Sequence, residues 1–177
     1  MSVTQEATSV PTGTWSLDPV HSDVAFAVSY SGAGTFRGSF GEVDAALVDG
    51  TLEGSAKVAS LAIGDPTLVG HLQSPDFFDA EQNPALRFSS TSIERDGDEV
   101  TIDGELTIRG ATKQVTLRGT VVGPTADAFG NQRIAFDVST SVDRREYGLD
   151  WNMELPTGDP ALGNDVLITA NLALVQA

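Results

Sequence analysis

The sequence predicts an all-β protein whose strands form a single antiparallel barrel. Apolar residues alternate with polar or small residues from Trp15 to Leu174, so the dominant period is two rather than 3.6. A period of two is typical of strands that bury one face. The turn pairs Asp49-Gly50 and Asp96-Gly97 lie between alternating runs, and Asp-Gly in that setting is a strong hairpin signal.

The alternation divides into about eight strands, a number that closes into a barrel able to hold one small ligand or a core of side chains. The clearest run is Val24 to Tyr30, where large side chains alternate with alanine and serine. The other runs are 36–47, 52–58, 86–88, 100–108, 115–121, 134–142 and 166–174. A flat sandwich of the same strands is the structural alternative.

Three glycines fall in phase with the apolar residues of their strands. They are Gly54, Gly104 and Gly119, where a side chain would otherwise project onto the inner face. Such glycines predict bends or a cleared lumen. Relief of crowding at a barrel corner is the alternative explanation.

Two segments interrupt the strand pattern. Asp65-Pro66 has the form of a helix N-cap followed by proline at the first helical position, and Ser74-Pro75 repeats it. Residues 65–80 are therefore predicted to form two short helical turns inserted between strands, where such an insert covers one mouth of a barrel. Residues 144–163 contain an alternating apolar run that ends in Pro- and Gly-rich sequence, which indicates an edge strand or a second flap.

Length and the character of the N-terminus set the domain organisation. A chain of 177 residues fits one domain, predicted over residues 13–177, with a flexible tail over residues 1–12. That tail has no Lys or Arg and no long apolar run, so it lacks the parts of a secretory signal. A cytoplasmic location is expected for the sequence as written, with export of a processed form left open. No stretch approaches the roughly 20 apolar residues of a membrane span.

The charge balance and the missing cysteines exclude several classes of function. There are 25 Asp and Glu residues against 10 Lys and Arg. Nucleic-acid phosphates and anionic membrane surfaces are bound by cationic side chains, so neither is an expected partner. Without cysteine there is no disulfide, thiolate nucleophile or cysteine zinc site.

Candidate catalytic and metal-binding residues are few. The two histidines, His21 and His71, stand far apart in the chain and lack metal-motif spacing, so no metal site and no cofactor are expected. His21 lies between Asp18 and Ser22, which are the ingredients of a serine triad. Working triads are assembled from separated segments, so a turn histidine hydrogen-bonded to the backbone is the preferred interpretation. No catalytic residue is assigned.

The inner face of the predicted barrel is the candidate ligand site, because such sites are mostly apolar with few polar anchors. A dry, filled core is the alternative. His71 is either a polar group that orients a head group or a cap of a short helix, and Arg144-Arg145 are interpreted as partners of local carboxylates. The predicted ligand-binding residues are Phe26, Val28, Tyr30, Phe36, Phe40, His71, Phe77, Phe88, Phe136 and Trp151.

Several short motifs, specific as an ordered set, carry a family resemblance. They are Trp15 to Ser22, Val24 to Phe26, His71 to Asp79, Pro84 to Thr91, Gly104 to Lys113 and Asp143 to Leu149. Over about residues 13–175 the chain resembles the YceI-like family. The resemblance implies a lipocalin-like eight-stranded antiparallel barrel that encloses polyisoprenoid or ubiquinone-type amphiphiles, with no catalytic set generally assigned. Relatives suggest a homodimer, although no long exposed apolar strip here demands one.

Two departures from the family pattern concern the head-group end. Tyr30 replaces a histidine often found there, and Leu68 and Val69 stand where basic residues are usual. Both changes remove positive charge, so the resemblance together with the acidic composition favours a neutral head group.

The predicted function is the binding or carriage of a long apolar isoprenoid-type ligand, polyprenyl or quinone-like, inside the barrel. The alternative is a small enzyme that isomerises or cyclises an apolar substrate with Tyr30, His71 or His21 as acid or base. A third interpretation is a stress-related scaffold with a filled core.

Overall fold

The computed structural model describes residues 9–177, and in this part of the chain it contains eleven strands and one α-helix. The helix, α1, spans Pro66–Gln73, and three short 3-10 turns span Pro19–His21, Val58–Ser60 and Arg144–Tyr147. The strands are β1 (Thr14–Leu17), β2 (Asp23–Tyr30), β3 (Gly34–Phe40), β4 (Val43–Val48), β5 (Thr51–Lys57), β6 (Leu61–Ala62), β7 (Ala85–Asp96), β8 (Glu99–Ile108), β9 (Ala111–Ala126), β10 (Gln132–Asp143) and β11 (Leu162–Gln176).

The eleven strands are eight long barrel strands, three of which are interrupted. A 3-10 turn at Pro19–His21 separates β1 from β2, residues 41–42 separate β3 from β4, and the turn at Val58–Ser60 separates β5 from β6. The two parts of an interrupted strand keep the same neighbouring strand. For example, β1 and β2 form one long strand and β3 and β4 form the next, and β1 pairs with β4 while β2 pairs with β3. The predicted count of eight is therefore confirmed.

The sheet closes on itself through the two ends of the chain. All pairings are antiparallel, and they run in the order β1-β4-β5-β7-β8-β9-β10-β11. The last strand returns to the first, with Trp15 opposite Gln176 and Leu17 opposite Leu174, and β11 also pairs with β2. Closure of this kind leaves no open sheet edge along the ring. The structure is thus an antiparallel barrel, and the sandwich alternative is wrong.

One end of the barrel is filled by a solid core. The core cluster consists of side chains from β1, β4, β5, β8, β9, β10 and β11, most of which expose less than a few per cent of their surface. Its largest members are Trp15, Leu47, Leu52, Ile102, Ile134, Phe136 and Leu174. Val10 packs against this cluster, whereas residues 1–8 of the predicted tail lie outside the described residues.

The predicted helical insert is present at the opposite end of the barrel. Asp65 caps α1 by accepting a hydrogen bond from the Thr67 amide at 2.9 Å, and Pro66 occupies the first turn. A second, shorter turn follows, in which the Phe77 amide donates to the Ser74 carbonyl at 3.0 Å. No helix among residues 9–177 has the length and apolar character needed to cross a membrane.

The three in-phase glycines have different roles. Gly54 borders open space inside the barrel, whereas a Cβ at Gly104 would lie 2.5 Å from Phe88 Cζ. Gly119 lies directly against the backbone carbonyl of Asp137 on the neighbouring strand β10. Both explanations given by the sequence therefore occur: Gly54 clears the lumen, and the other two relieve crowding.

Gly119→Ala is expected to lower the free energy of unfolding by about 1–3 kcal/mol, because the added methyl group forces the backbones of β9 and β10 apart. Gly54→Ala is the matched control, since its methyl group would meet only ordinary contacts at 3.6 Å or more. Urea denaturation of both variants checks the difference. Equal losses of stability would contradict the close approach at Gly119.

An ion-pair network ties the filled end of the barrel together. Arg133 on β10 donates from Nη1 to Asp18 at 2.8 Å and from Nε to Asp127 at 2.6 Å. His21 Nδ1 also contacts Asp18, at 2.7 Å. The hydrogen bond from Arg133 is the main cause that lowers the pKa of Asp127 from 3.8 to about 2, and it lowers the pKa of Asp18 still further.

Because these carboxyl pKa values are lower in the folded than in the unfolded protein, their stabilisation is complete above about pH 4. It is lost as the pH falls from about 4 towards 2. Arg133→Gln should therefore be less stable than the parent protein at pH 7 and should lose less additional stability between pH 4 and pH 2. Urea denaturation at a series of pH values measures both effects, and parallel pH profiles would refute the network's role.

Candidate functional site

The half of the barrel next to α1 contains a cavity of about 670 Å³. It begins above the core cluster, at Leu52 and Leu172, and extends to Leu68 and Leu72 of α1. Its surface is formed almost entirely by apolar side chains of the strands, of α1 and of the segment after β10. The interior is therefore not the filled core that the sequence left open as an alternative.

Nine of the ten predicted ligand-binding residues border this cavity. They are Phe26, Val28, Tyr30, Phe36, Phe40, His71, Phe77, Phe88 and Trp151. The tenth, Phe136, is 1% exposed and packs inside the core cluster, so its assignment to the cavity is corrected. Alternation places Phe136 correctly on the inner face, but it does not give the depth along the barrel at which the core ends.

Small side chains at the middle of the lumen create the space. Gly54 and Ala56 on β5, Ala45 on β4 and Ala170 on β11 all border the cavity. A large residue at any of these inward positions would occupy the space, because neighbouring strands in a barrel of eight bring their inner side chains close together. Of these residues, only Gly54 is predicted from the sequence to clear the lumen; the corresponding signal for the alanines is a small residue in phase with large ones.

Four phenylalanines form one wall of the cavity. The ring centroid of Phe26 lies 6.2 Å from that of Phe36, 5.9 Å from that of Phe40 and 6.5 Å from that of Phe78. Gly38 makes room for this wall, because a Cβ there would lie 2.5 Å from Phe26 Cζ. The rings thus pack against one another along one side while the space beside them stays open.

Residues 148–161, called here the flap, cover part of the cavity and lie against α1. The indole ring of Trp151 in the flap lies 4.7 Å from the ring of His71 and 5.3 Å from that of Phe77. The flap forms only an isolated bridge between Glu154 and Pro160. Of the two alternatives that the sequence gave for this segment, the structure therefore shows a flap and not an edge strand.

The cavity opens between the β2–β3 turn, α1 and the flap. Three apolar or aromatic residues border the cavity and are also exposed at this mouth: Tyr30 at 51%, Leu68 at 36% and Met153 at 59%. Exposed apolar groups grouped around a concave apolar site are typical of a ligand entrance. Tyr30 thus lies at the rim of the cavity and not in its depth.

Arg144 is a buried cation in the wall of the cavity, only 5% exposed. Its Nε donates to the Gly163 carbonyl at 2.8 Å, and its Nη1 donates to the carbonyls of Leu149 and Trp151 at 2.6 and 2.8 Å. These bonds attach the flap to the barrel. Burial lowers the pKa of the guanidinium, against the opposing effect of the charges of Asp150 and Asp143.

The two neighbouring arginines therefore differ in role. Arg145 contacts Asp143 at 2.7 and 3.0 Å, as the sequence interpretation expected. For Arg144 that interpretation is wrong, because its partners among residues 9–177 are backbone carbonyls. Adjacent residues at a strand end point in different directions, which residue type alone does not reveal.

Tyr147 borders the cavity one 3-10 turn after Arg144 and is 2% exposed. Its hydroxyl is buried and has no hydrogen-bond partner among the described residues. Burial is the main cause that raises its pKa to about 12. Sequence reasoning missed both Arg144 and Tyr147 as cavity residues, although they lie in the segment Asp143 to Leu149 that carries the family resemblance.

The residues considered for catalysis do not come together. His21 is exposed at the filled end of the barrel, where it contacts Asp18, and Ser22 Oγ donates to the Asp18 carbonyl rather than to His21. The sequence predicts that the His21 ring bonds to the backbone, but its partner is the side-chain carboxylate of Asp18. His71 does border the cavity, but its Nε2 lies 3.1 Å from Asp76 Oδ2. No group of three His, Asp or Glu side chains within residues 9–177 is arranged to hold a metal ion.

The fold and the site together define a lipocalin-like β-barrel protein with an apolar internal cavity. The model of the YceI-like domain matches residues 15–174. The chain therefore belongs to the YceI-like family.

Curated relatives match most of the chain at moderate identity. A UPF0312 protein of Staphylococcus epidermidis is 29% identical over 166 residues, which are 89% of this chain and 94% of the relative. Protein YceI of Escherichia coli O157:H7 is 28% identical over 156 residues, or 84% of this chain and 80% of the relative. This coverage places the similarity across the whole barrel.

Solved structures share the fold. BcnA of Burkholderia cenocepacia superposes with a TM-score of 0.72 at 22% identity, covering 89% of this chain and 98% of BcnA. A polyisoprenoid binding domain from Saccharophagus degradans, implicated in plant cell wall breakdown, superposes with a TM-score of 0.73 at 14% identity, covering 92% and 98%. At these identities the likeness concerns the fold alone.

Proposed function

We propose that this protein binds and carries one long apolar ligand of isoprenoid type inside the barrel. The observation that carries the proposal is the internal cavity of about 670 Å³, open at one mouth, with its nearly continuous apolar lining. The name of the Saccharophagus degradans domain, which binds polyisoprenoid, supports the same ligand class.

The size of the cavity suits a chain of moderate length. Since a water molecule takes up about 30 Å³ in the liquid, 670 Å³ has room for roughly 20 groups of that size. This corresponds to about four isoprene units, and a longer chain would extend through the mouth past Tyr30 and Met153.

Burial of the chain accounts for retention without chemistry. Each methylene group removed from water contributes about 0.8 kcal/mol, and the wall of Phe26, Phe36, Phe40 and Phe78 offers aromatic surface on one side of the cavity. The enzyme alternative gains no support from the site. Tyr30 is half exposed at the rim and the His71 side chain is one-third exposed, so both candidate acid–base groups lie at the solvent-accessible edge of the cavity.

Mass spectrometry of an organic extract of the purified protein tests the proposal. We expect a prenyl-chain compound in about stoichiometric amount, as expected for a tightly bound ligand. Protein stripped of lipid should then bind geranylgeranylacetone in a titration followed by tryptophan fluorescence, since Trp151 borders the cavity while Trp15 lies in the core cluster. If no lipid is extracted and the stripped protein binds no prenyl compound, the proposal is wrong.

A further inference from the structure

Two polar groups in the cavity wall have bonding capacity that the fold leaves unused. Arg144 spends Nε and Nη1 on three backbone carbonyls, and Nη2 has no partner among residues 9–177. The hydroxyl of Tyr147 has none in the same part of the chain. A buried polar group without a partner costs about 1–3 kcal/mol, so the buried hydroxyl of Tyr147 in the cavity wall requires an explanation.

The two side chains belong to one structural unit. Arg144 and Tyr147 are the first and last residues of the 3-10 turn after β10. In a 3-10 helix, residues three apart lie on the same side, and both residues border the cavity beneath the flap.

Both groups are hydrogen-bond donors, although the hydroxyl of Tyr147 can also accept a hydrogen bond. An arginine has five N–H donors and no acceptor. The hydroxyl of Tyr147 stays protonated at neutral pH, because burial raises its pKa to about 12. A ligand that uses both donors must present an acceptor atom, such as a carbonyl oxygen.

We propose that Arg144 and Tyr147 bind an acceptor oxygen of the ligand's head group, which places that head group beneath the flap with the chain along the lumen. This inference rests on the proposed function and adds the chemical class of the head group. A ketone-type carbonyl fits the pair, because it accepts two hydrogen bonds and has no proton that needs a partner. A hydrocarbon leaves both donors unsatisfied.

A phosphate shares the acceptor oxygens, but it brings two negative charges into an apolar site with one buried guanidinium. Three of that guanidinium's hydrogen bonds already go to the flap and β11. The exposed Glu154 at the cavity surface adds negative charge. The carbonyl is therefore the favoured form of the acceptor.

Tyr147→Phe is the most selective variant, because it removes only the hydroxyl and relieves a buried group that has no partner. It should be at least as stable as the parent protein. Binding to lipid-stripped protein is measured with geranylgeranylacetone, geranylgeranyl monophosphate, geranylgeraniol and the hydrocarbon phytane. We expect Tyr147→Phe to weaken binding of geranylgeranylacetone about threefold to tenfold and to leave binding of phytane unchanged.

Arg144→Gln tests the second donor, and Arg145→Gln is the matched control because Arg145 points to Asp143 outside the cavity. Arg144→Gln should lose affinity for geranylgeranylacetone and not for phytane, while Arg145→Gln should match the parent protein for both. Tighter binding of the monophosphate than of the ketone by the parent protein would overturn the carbonyl assignment.

The two proposals fail in different ways. If Tyr147→Phe and Arg144→Gln lose phytane and geranylgeranylacetone equally, or keep full affinity for both, the head-group inference is wrong while lipid binding stands. If the parent protein binds none of the four probes, the proposed function itself fails.

Discussion

Gly54→Phe is expected to weaken the binding of a prenyl chain by roughly 50-fold while the barrel stays folded. Gly54 faces the cavity from β5, and a Cβ there meets only ordinary contacts with Asp44 and Ala45. The new ring would fill lumen space and displace about three methylene groups of the ligand, each contributing about 0.8 kcal/mol. Titration of lipid-stripped protein with geranylgeranylacetone measures the change.

Glu53→Phe is the matched control for Gly54→Phe. Glu53 is the preceding residue of the same strand, and its side chain is exposed on the outside of the barrel. This variant adds the same ring without entering the cavity, so its affinity should stay close to that of the parent protein. If Gly54→Phe keeps full affinity, the ligand does not occupy the middle of the lumen.

Phe136→Ala is expected to lower the free energy of unfolding by about 3–5 kcal/mol, the usual cost of removing a buried aromatic side chain. Phe136 is 1% exposed and packs within the core cluster. Its removal leaves a hole among Ile134, Leu172 and their neighbours that the barrel wall cannot close. Denaturation in urea measures the loss.

Phe36→Ala provides the comparison. Phe36 is only partly buried and borders the cavity, so its ring already lacks contacts on one side and the loss of stability should be smaller. The loss of ligand affinity should be larger for Phe36→Ala than for Phe136→Ala. Phe36→Ala should weaken the binding of geranylgeranylacetone, whereas folded Phe136→Ala should bind it as the parent protein does. Equal losses of stability in the two variants would contradict the division of the barrel into a filled and an open half.

Local sequence signals were sufficient for the strands, the turns and the helical insert. Asp49-Gly50 forms its hairpin between β4 and β5, and Asp65-Pro66 begins α1, because a turn or a cap depends on the few residues that form it. The inward direction of Phe40, Phe88 and Phe136 likewise follows from alternation, since successive side chains of a strand point to opposite faces.

The depth of each inward residue was decided only by the tertiary structure. Phe88 and Phe136 give the same signal in sequence, yet one borders the cavity and the other lies in the core cluster. Register between strands distant in the chain, such as β1 with β11, fixes that depth. No local pattern encodes such a pairing, because it depends on closure of the whole ring.

By itself, then, the sequence determined the all-β class, the eight strands, the apolar inner face and the position of the insert, because these depend on the chemistry of neighbouring residues. Only the three-dimensional structure decided that the inner face encloses a cavity and that Arg144 and Tyr147 lie in its wall. Empty space and an unused hydrogen-bond donor are defined by what surrounds them, and those surroundings come from eight strands and a flap that meet only after folding.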